Sequence, residues 1–183
     1  MKKLLLCLVL ISGFAFSQEF VLTPDNFKNK SDETKNFVVL EFTELNQKQL
    51  FDKTKMFIHS KYKNLKGDGL NEVEFSQLKL RSRVAGTTIK VFGEETIVSY
   101  LVTTVEIGFK DGKIMIKPNF DEFEGVGKDR LNTYLTGGNA FAQKSIFNKK
   151  GEIWMKNYYE VANNKTNEFV KELQSALSTN DNW

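Results

Sequence analysis

The clearest pattern in the chain is an alternation of apolar and polar residues on both sides of one Asp-Gly pair. Asp111 and Gly112 tolerate the positive φ angles of a two-residue turn, so the pattern predicts a β-hairpin. Making these two residues the turn also determines which residues face one another across the hairpin. The predicted pairs are Phe109–Ile114, Ile107–Ile116 and Val105–Pro118 on an apolar face, and Gly108–Met115, Glu106–Lys117 and Thr104–Asn119 on a polar face.

Two different periodicities predict a strand followed by a helix. Residues Phe37–Phe42 (FVVLEF) are mostly apolar and rich in β-branched side chains, which is typical of a strand. From Gln47 to Lys66 apolar residues recur at helical spacing, with cap residues in Thr43–Asn46 before them and the glycines of Gly67–Gly69 after them. The predicted buried stripe of this helix consists of Leu50, Phe51, Thr54, Phe57, Ile58, Tyr62 and Leu65.

The alternation that leads up to the hairpin predicts a four-strand antiparallel meander. The first strand covers residues 78–84 and the second covers residues 88–91. A long third strand over residues 96–109 places Ile97 on the apolar side and forms the first arm of the hairpin. Pro118 has no N–H group to donate, so we expect the fourth strand to end there.

The remainder of the chain predicts a loop and then a long helix. Residues 119–138 contain four glycines and mixed charges, which indicates a loop or a broken helical turn, with Asp121, Glu122 and Glu124 in a solvated acidic turn. Beyond residue 150 a stripe at helical spacing predicts an amphipathic helix that ends near Ser178. The stripe consists of Trp154, Tyr158, Val161, Phe169, Leu173 and Leu177.

Residues 1–17 have the composition of an export signal. Lys2 and Lys3 precede an apolar run from Leu4 to Phe16, which is shorter than the roughly 20 residues of a membrane-spanning helix. Ala15 and Ser17 have the spacing that a signal peptidase recognises. We expect a mature chain of 166 residues without a transmembrane anchor, located in the periplasm, outside the cell or at the outer membrane. Its predicted parts are an irregular lead-in at 18–36, a single α+β domain at 37–178 and a frayed tail at 179–183.

The mature chain offers few groups for catalysis or metal binding. The sole cysteine, Cys7, lies in the signal, so neither a disulfide nor a thiolate metal site is expected. The sole histidine, His59, lies off the helical stripe, which argues against a Ser-His-Asp triad and against zinc. Removal of Lys2 and Lys3 lowers the net charge from +3 to +1, which is unlike a nucleic-acid binder. We expect no enzyme activity and no cofactor, with paired carboxylates acting on a glycan as the open alternative.

The candidate binding surface is the polar side of the predicted sheet. Lys79, Arg81 and Arg83 of one strand and Lys90 of the next are predicted to form a basic row that binds a partner. The alternative is that these cations pair with Glu94, Glu106 and neighbouring carboxylates. The lysines of the predicted first helix present the same choice between anionic headgroups and a solvated surface, and we expect a solvated surface.

The order of these elements, and several stretches of sequence within them, resemble a known family. The residues that carry the likeness are FVVLEF, QLFDKTKMFI, RSRVAG and VEIGFKDGKIMIKPNF, between Phe37 and Phe123. They are similar to a secreted domain of unknown function with a TBP-like fold, common in Bacteroidota. The resemblance implies an α+β fold in which a curved antiparallel sheet, built as strand, helix and four-strand meander, is packed on one face by the first helix and a long C-terminal helix. It implies no activity, and a TBP-like fold does not by itself imply DNA binding.

Two functions are compatible with these observations. The first is an exported, non-enzymatic binding or assembly module that recognises a protein or cell-envelope component through the open face of the sheet. The second is a carrier that holds a small apolar ligand between the sheet and the C-terminal helix, with residues 124–138 as a lid. A carrier requires an apolar cavity, whereas a binding module requires a packed interior.

The export signal predicts a shortened N-terminus. When the full chain is produced in a bacterium with a secretory pathway, the mature protein begins at Gln18, because signal peptidase cleaves after small residues such as Ala15 and Ser17. Intact-mass spectrometry of the envelope fraction measures this. A double variant Ala15→Lys/Ser17→Lys serves as the uncleaved control. An envelope protein that retains all 183 residues contradicts the prediction.

Overall fold

The computed structural model describes residues 18–63, 65, 69–127, 131–137 and 144–179, so the predicted export signal lies outside the described residues. Two helices and an antiparallel sheet of several strands confirm the predicted α+β class. The elements are β1 (Phe20–Thr23), β2 (Asn26–Asn29), β3 (Val38–Glu41), α1 (Gln47–Lys61), β4 (Leu70–Val73), β5 (Gln77–Ala85), β6 (Thr88–Val91), β7 (Glu94–Ile97), β8 (Ser99–Lys110), β9 (Lys113–Gly125), β10 (Thr133–Tyr134), β11 (Lys144–Ser145) and α2 (Lys156–Ser178).

The hairpin of β8 and β9 is the centre of the sheet. All six predicted cross-strand pairs are present, from Phe109 opposite Ile114 to Thr104 opposite Asn119. Gly112 has a φ of +73°, as a turn of this type requires. Because the side-chain period of a strand is two, this register places Ile107 and Ile116 together in the core, where both are fully buried.

The other strands extend the sheet on both sides of this hairpin. β5 pairs with β8 along its whole length, and β4 covers only the first part of β5, Gln77–Leu80. On the other side, β9 pairs with β3 through Lys113–Ile116 and with β10 at Phe123. The sheet is open, and its one parallel pair is that of β10 with β11.

Pro118 does not end β9, contrary to the sequence prediction, and the strand continues to Gly125. The strand continues because of the direction in which the backbone nitrogen of Pro118 points. The N–H of Phe120 points away from β8 and donates to Oδ1 of Asn26 at 2.8 Å, while Nδ2 of Asn26 donates to the carbonyl of Phe120 at 3.1 Å. Since N–H groups alternate sides along a strand, the nitrogen of Pro118 also points to the outer edge, and its missing hydrogen removes no bond to β8.

A β-bulge lies in the segment that the sequence predicted to be a loop. Val102 faces Glu122 and Thr103 faces Phe120, so Asp121 is the extra residue of β9. The bulge shifts by one position the alternation of β9 side chains between the two faces of the sheet. Phe120 and Phe123 are therefore both buried on the helix side, although three positions separate them.

Both helices cover the same face of the sheet, as predicted. Aromatic rings join the layers with centroid distances of 5.4 Å between Phe51 of α1 and Phe109, and 4.8 Å between Tyr158 of α2 and Phe123. The fully or largely buried residues of the helices are Leu50, Phe51, Thr54 and Ile58 in α1, and Ala162, Thr166, Phe169, Val170, Leu173 and Leu177 in α2.

The helix ends differ from the prediction at two places. α1 begins after Asn46, whose side chain accepts from the N–H of Gln49 in a capping box, but it ends at Lys61 rather than Lys66. Residues 64 and 66–68, which include part of the predicted GDG stop, lie outside the described residues. α2 ends at Ser178 as predicted, whereas Trp154 precedes the helix and is 58% exposed, so it does not belong to the buried stripe.

The predicted irregular lead-in at residues 18–36 is wrong, because it contains the hairpin of β1 and β2. Two asparagines of α2 hold its outer edge. Asn167 accepts from the N–H of Phe20 at 2.7 Å and donates to its carbonyl at 2.9 Å, and Asn163 accepts from the N–H of Leu22 at 2.8 Å. Phe20 and Leu22 are buried in the main core, so the α+β domain begins at β1 rather than at residue 37.

The predicted second and third strands of the meander also form differently. β6 pairs with β7 in a separate two-stranded sheet, and the long predicted strand is interrupted at Val98. The interruption is stabilised by Thr87, whose hydroxyl lies 2.7 Å from that of Ser99 and whose carbonyl accepts from the N–H of Val98. Ile97 therefore belongs to β7 and not to the apolar side of β8.

The hairpin register predicts a large loss of stability for substitution of one residue of β9 and a small change for substitution of its neighbour. Ile116→Ala lowers the free energy of unfolding by about 2–5 kcal/mol, because it leaves a cavity in the core. Met115→Ala is the matched control on the other face, where the side chain is 39% exposed, and changes the free energy by about 0.5 kcal/mol or less. Urea denaturation of the two variants measures both values. Equal losses for the two would contradict the register.

Candidate functional site

The side of the sheet opposite the helices, here called the open face, brings together three of the four predicted binding residues. Lys79, Arg81 and Arg83 alternate along β5 with residues that face the helices, so all three project from the open face. Lys90 does not join them. It lies in β6 opposite Glu95 of β7, because β6 does not pair with β5 as the sequence predicted.

At the middle of the open face one carboxylate lies between two lysines. Glu106 of β8 faces Lys79 on one side and Lys117 on the other. Its oxygens lie 3.8 Å from Nζ of Lys79 and 3.6 Å from Nζ of Lys117. The prediction that Glu106 faces Lys117 is confirmed, and Lys79 pairs with Glu106 as the alternative interpretation proposed, whereas Glu94 lies in β7 opposite Val91.

The two arginines of the row have carboxylate partners on β9. Nε of Arg81 lies 3.8 Å from Asp121, the bulge residue, which also accepts hydrogen bonds from Thr104 at 2.8 Å and Asn119 at 2.7 Å. Arg83 donates to Glu124. Asp121 and Glu124 are therefore strand residues of the open face and not members of a solvated acidic turn, and only the length of β9 and its bulge reveal this.

Arg83 is held by a ring as well as by a carboxylate. Its guanidinium carbon lies 3.5 Å from the centroid of the Tyr100 ring, which is a cation–π contact. The hydrogen bond to Glu124 raises the pKa of Arg83 above its usual value. Two partners on different strands hold this side chain in one position, which makes it the most constrained cation of the row.

The open face is balanced in charge rather than basic. Each of its described cations named above lies beside a carboxylate of another strand, and Glu122 accepts a hydrogen bond from Asn132 at 2.7 Å. Exposed ion pairs of this kind contribute at most about 1 kcal/mol each to stability. The row therefore presents a pattern of alternating charge to a partner and no strong positive field.

A cleft of about 910 Å³ lies at the edge of the sheet beside β5. It is bordered by Arg81 and Arg83 from the open face and by Lys61 and Tyr62 from the end of α1. A smaller cavity of about 170 Å³ continues from the Tyr62 side towards α2. Sequence analysis did not find this cleft, because its walls come from segments far apart in the chain.

The small cavity has a mostly apolar lining, to which four side chains contribute hydroxyl groups. Oγ of Ser82 and Oγ1 of Thr103 are buried 2.9 Å apart on neighbouring strands, and Thr166 of α2 faces the same space. Burial raises the pKa of Tyr62 to about 12, while a hydrogen bond with Ser82 acts in the opposite direction. Tyr62 thus remains a neutral hydroxyl in the physiological range.

The other residues considered in the sequence have surface positions. His59 is exposed on α1. Lys55 pairs with Glu72 at 2.6 Å, and Lys61 pairs with Glu172 of α2, which favours the solvated-surface interpretation of the α1 lysines. In the part of the chain that the structure describes, no three His, Cys, Asp or Glu side chains are grouped as a metal site would require, and no helix is long and apolar enough to cross a membrane.

Comparison with known proteins identifies the fold. No family model and no curated protein matches the chain. Two solved structures do. A DUF4468 family protein from Bacteroides ovatus ATCC 8483 is 10% identical with a TM-score of 0.51, over 80% of this chain and 87% of that chain. A TBP-like protein from Parabacteroides distasonis ATCC 8503 is 11% identical with a TM-score of 0.56, over 79% and 92%. The resemblance predicted from the sequence is confirmed at the level of the fold, which is TBP-like.

Proposed function

We propose that this chain is an exported, non-enzymatic binding or assembly module that docks a protein of the cell envelope on the open face of its sheet. The observation that carries the proposal is the row of charged side chains on β5, β8 and β9, held in place by one another on a face that the described helices and strands leave uncovered. Side chains that are already ordered lose little entropy on binding.

The balance of charge favours a protein partner over a polyanion. Nucleic acids and anionic polysaccharides bind surfaces on which cations are in excess, since affinity comes from neutralised negative charges. On the open face each arginine already has a carboxylate beside it. A protein surface with its own alternating charges complements such a pattern, and charge complementarity contributes specificity more than affinity.

Site-specific photo-crosslinking tests this proposal. A crosslinking residue at Met115, exposed on the open face, is expected to form one dominant protein adduct in envelope fractions of the producing bacterium. The matched control is the same residue at Met56, exposed on α1. Arg81→Glu/Arg83→Glu reduces the Met115 adduct at least about tenfold, because like charges across an interface cost several kcal/mol. Lys149→Glu/Lys150→Glu, which makes the same change in net charge on an exposed turn, leaves it unchanged. Equal adducts from both methionine positions contradict the proposal.

The carrier hypothesis finds less support in the interior. Between the sheet and α2 the described residues leave a cavity of about 170 Å³ whose lining is mostly apolar. Pockets for drug-sized ligands typically have volumes of about 300–1,000 Å³, so this cavity is too small for such a ligand. The rest of the space beneath α2 is filled by buried side chains such as Phe123, Phe169 and Leu173.

The binding module and the carrier predict different results for co-purified material. We expect the result of a packed binding module: the protein purified gently from envelope fractions releases no stoichiometric lipid or other apolar molecule on denaturation. Mass spectrometry of the organic extract, with a known lipid-binding protein taken through the same steps as control, measures this. An apolar molecule present at about one per chain would support the carrier over the binding module.

A further inference from the structure

The hairpin of β6 and β7, here called the arm, projects beyond the main sheet. Pairing of β5 with β8 ends at Ala85–Tyr100, and pairing resumes at Thr88–Ile97 as a separate two-stranded sheet. Each strand of the arm has four residues, so its turn lies roughly 13 Å beyond this first pair. Every side chain that is described between residues 88 and 96 is exposed. The arm therefore presents both of its faces to solvent.

The base of the arm is attached to the domain by buried polar contacts. Thr87 and Ser99 are each 2% exposed, and their hydroxyl oxygens lie 2.7 Å apart. The N–H of Thr87 donates to Oγ of Ser99 at 3.1 Å, and the carbonyl of Val98 accepts from the N–H of Val126 at 3.1 Å. The arm thus starts from an ordered base, which limits the entropy that is lost when its tip binds.

Phe92 occupies the tip of the arm in an unfavourable backbone conformation. Phe92 and Gly93 form the two-residue turn, with φ angles of +50° and +89°. Two positive φ angles are typical of a type I′ turn, in which Asn, Asp and Gly are preferred. A bulky aromatic residue is strained in this region, and the ring is fully exposed, so no burial offsets the strain. Strained residues of this kind are found preferentially at functional sites.

We propose that the arm docks on a protein partner by inserting the Phe92 ring into an apolar pocket that has a basic rim. A phenyl ring that leaves water for a pocket buries a large apolar area. Aromatic anchors that fill a pocket of the partner dominate the energetics of many protein interfaces. This inference goes beyond docking on the open face and does not require it.

The charges around the turn indicate the basic rim. Glu94 follows the turn directly, Glu95 comes next, and Lys90 lies opposite Glu95. All three side chains are exposed, and none forms an ion pair with another residue in the part of the chain that the structure describes. Pairing of Lys90 with Glu95 in solution leaves Glu94 unmatched beside the ring. Cations around the partner's pocket complement this carboxylate.

A lipid surface is disfavoured as the occupant of the tip. Stable attachment to a membrane takes two apolar or electrostatic signals, whereas the arm has one large apolar group at its end. Insertion of the ring would also bring Glu94 and Glu95 close to the lipid headgroups. The negative surface potential of an anionic bilayer repels carboxylates.

A second copy of this chain is also disfavoured. The mostly apolar cavity of about 170 Å³ is large enough for a phenyl ring, and Lys61 and Lys165 border it. Each of these lysines is already paired with a glutamate of α2, which is Glu172 for Lys61 and Glu168 for Lys165. The border of this cavity therefore lacks the free cation that Glu94 requires.

Crosslinking from the tip of the arm measures the chemistry of the partner. The full chain carries p-benzoylphenylalanine in place of Phe92, which keeps an aromatic ring at the tip, and is irradiated in envelope fractions of the producing bacterium. We expect one dominant protein adduct, whose crosslinked peptide contains apolar residues next to Lys or Arg when it is sequenced by mass spectrometry. The matched control carries the same residue in place of Thr88, at the base of the arm, and gives at most about a tenth of this adduct. A lipid adduct, an adduct with a second copy, the absence of a protein adduct or equal adducts from both positions overturns the proposal.

A charge variant tests the basic rim. In the chain with the crosslinker at position 92, Glu94→Lys lowers the adduct at least about tenfold, because like charges across an interface are unfavourable. Glu74→Lys makes the same change in net charge in the exposed turn before β5, at the opposite end of that strand from the arm. It leaves the adduct within about twofold. An adduct that Glu94→Lys leaves unchanged refutes the basic rim and with it the proposal.

A variant at the tip separates binding from folding. Phe92→Asn introduces a residue that the turn favours, so this variant unfolds at the same or a higher urea concentration than the natural chain. Co-purification of the protein identified by crosslinking nevertheless falls at least about tenfold, because the ring is gone. Phe92→Tyr keeps a ring and retains co-purification within about threefold. Full co-purification with Phe92→Asn overturns the proposal. The readout at position 92 does not use the open face, so failure of the arm and failure of the Met115 adduct are observed separately.

Discussion

The pairing of β8 with β9 is the constraint on which the rest of the structure depends. A shift of β9 by one residue against β8 would move Ile114 and Ile116 to the open face and Lys117 into the core. Burial of each isoleucine is worth about 1.5–3 kcal/mol, whereas the exposed ion pair contributes at most about 1 kcal/mol. The apolar face therefore determines the register, and the charged pattern of the open face follows from it.

The described residues cover the outer sides of β9 and β5 to different extents. The edge at β9 is covered in succession by β3, by the side chain of Asn26 and by β10. Asn163 and Asn167 of α2 in turn hold the hairpin that supplies Asn26. Among the described strands, β4 alone pairs with the outer edge of β5, from Gln77 to Leu80, and the cleft lies beyond it.

Arg81 and Arg83 are part of the charge pattern of the open face. On the face, the guanidinium groups belong to an alternating array in which Arg83 is fixed by Glu124 and Tyr100.

The TBP-like α+β class was implied by resemblance to a known family, whereas three local features followed from the residues themselves: the Asp111-Gly112 turn, the register around it and the face on which Arg81 lies. Each of these depends on residues that are close in the chain. The pairing of β6 with β7, the continuation of β9 past Pro118 and the attachment of β1 to α2 were decided by tertiary structure. Each of them depends on a group distant in the chain, such as Ser99 or Asn26, that forms hydrogen bonds with the backbone. Alternation of polarity along a strand carries no information about that partner.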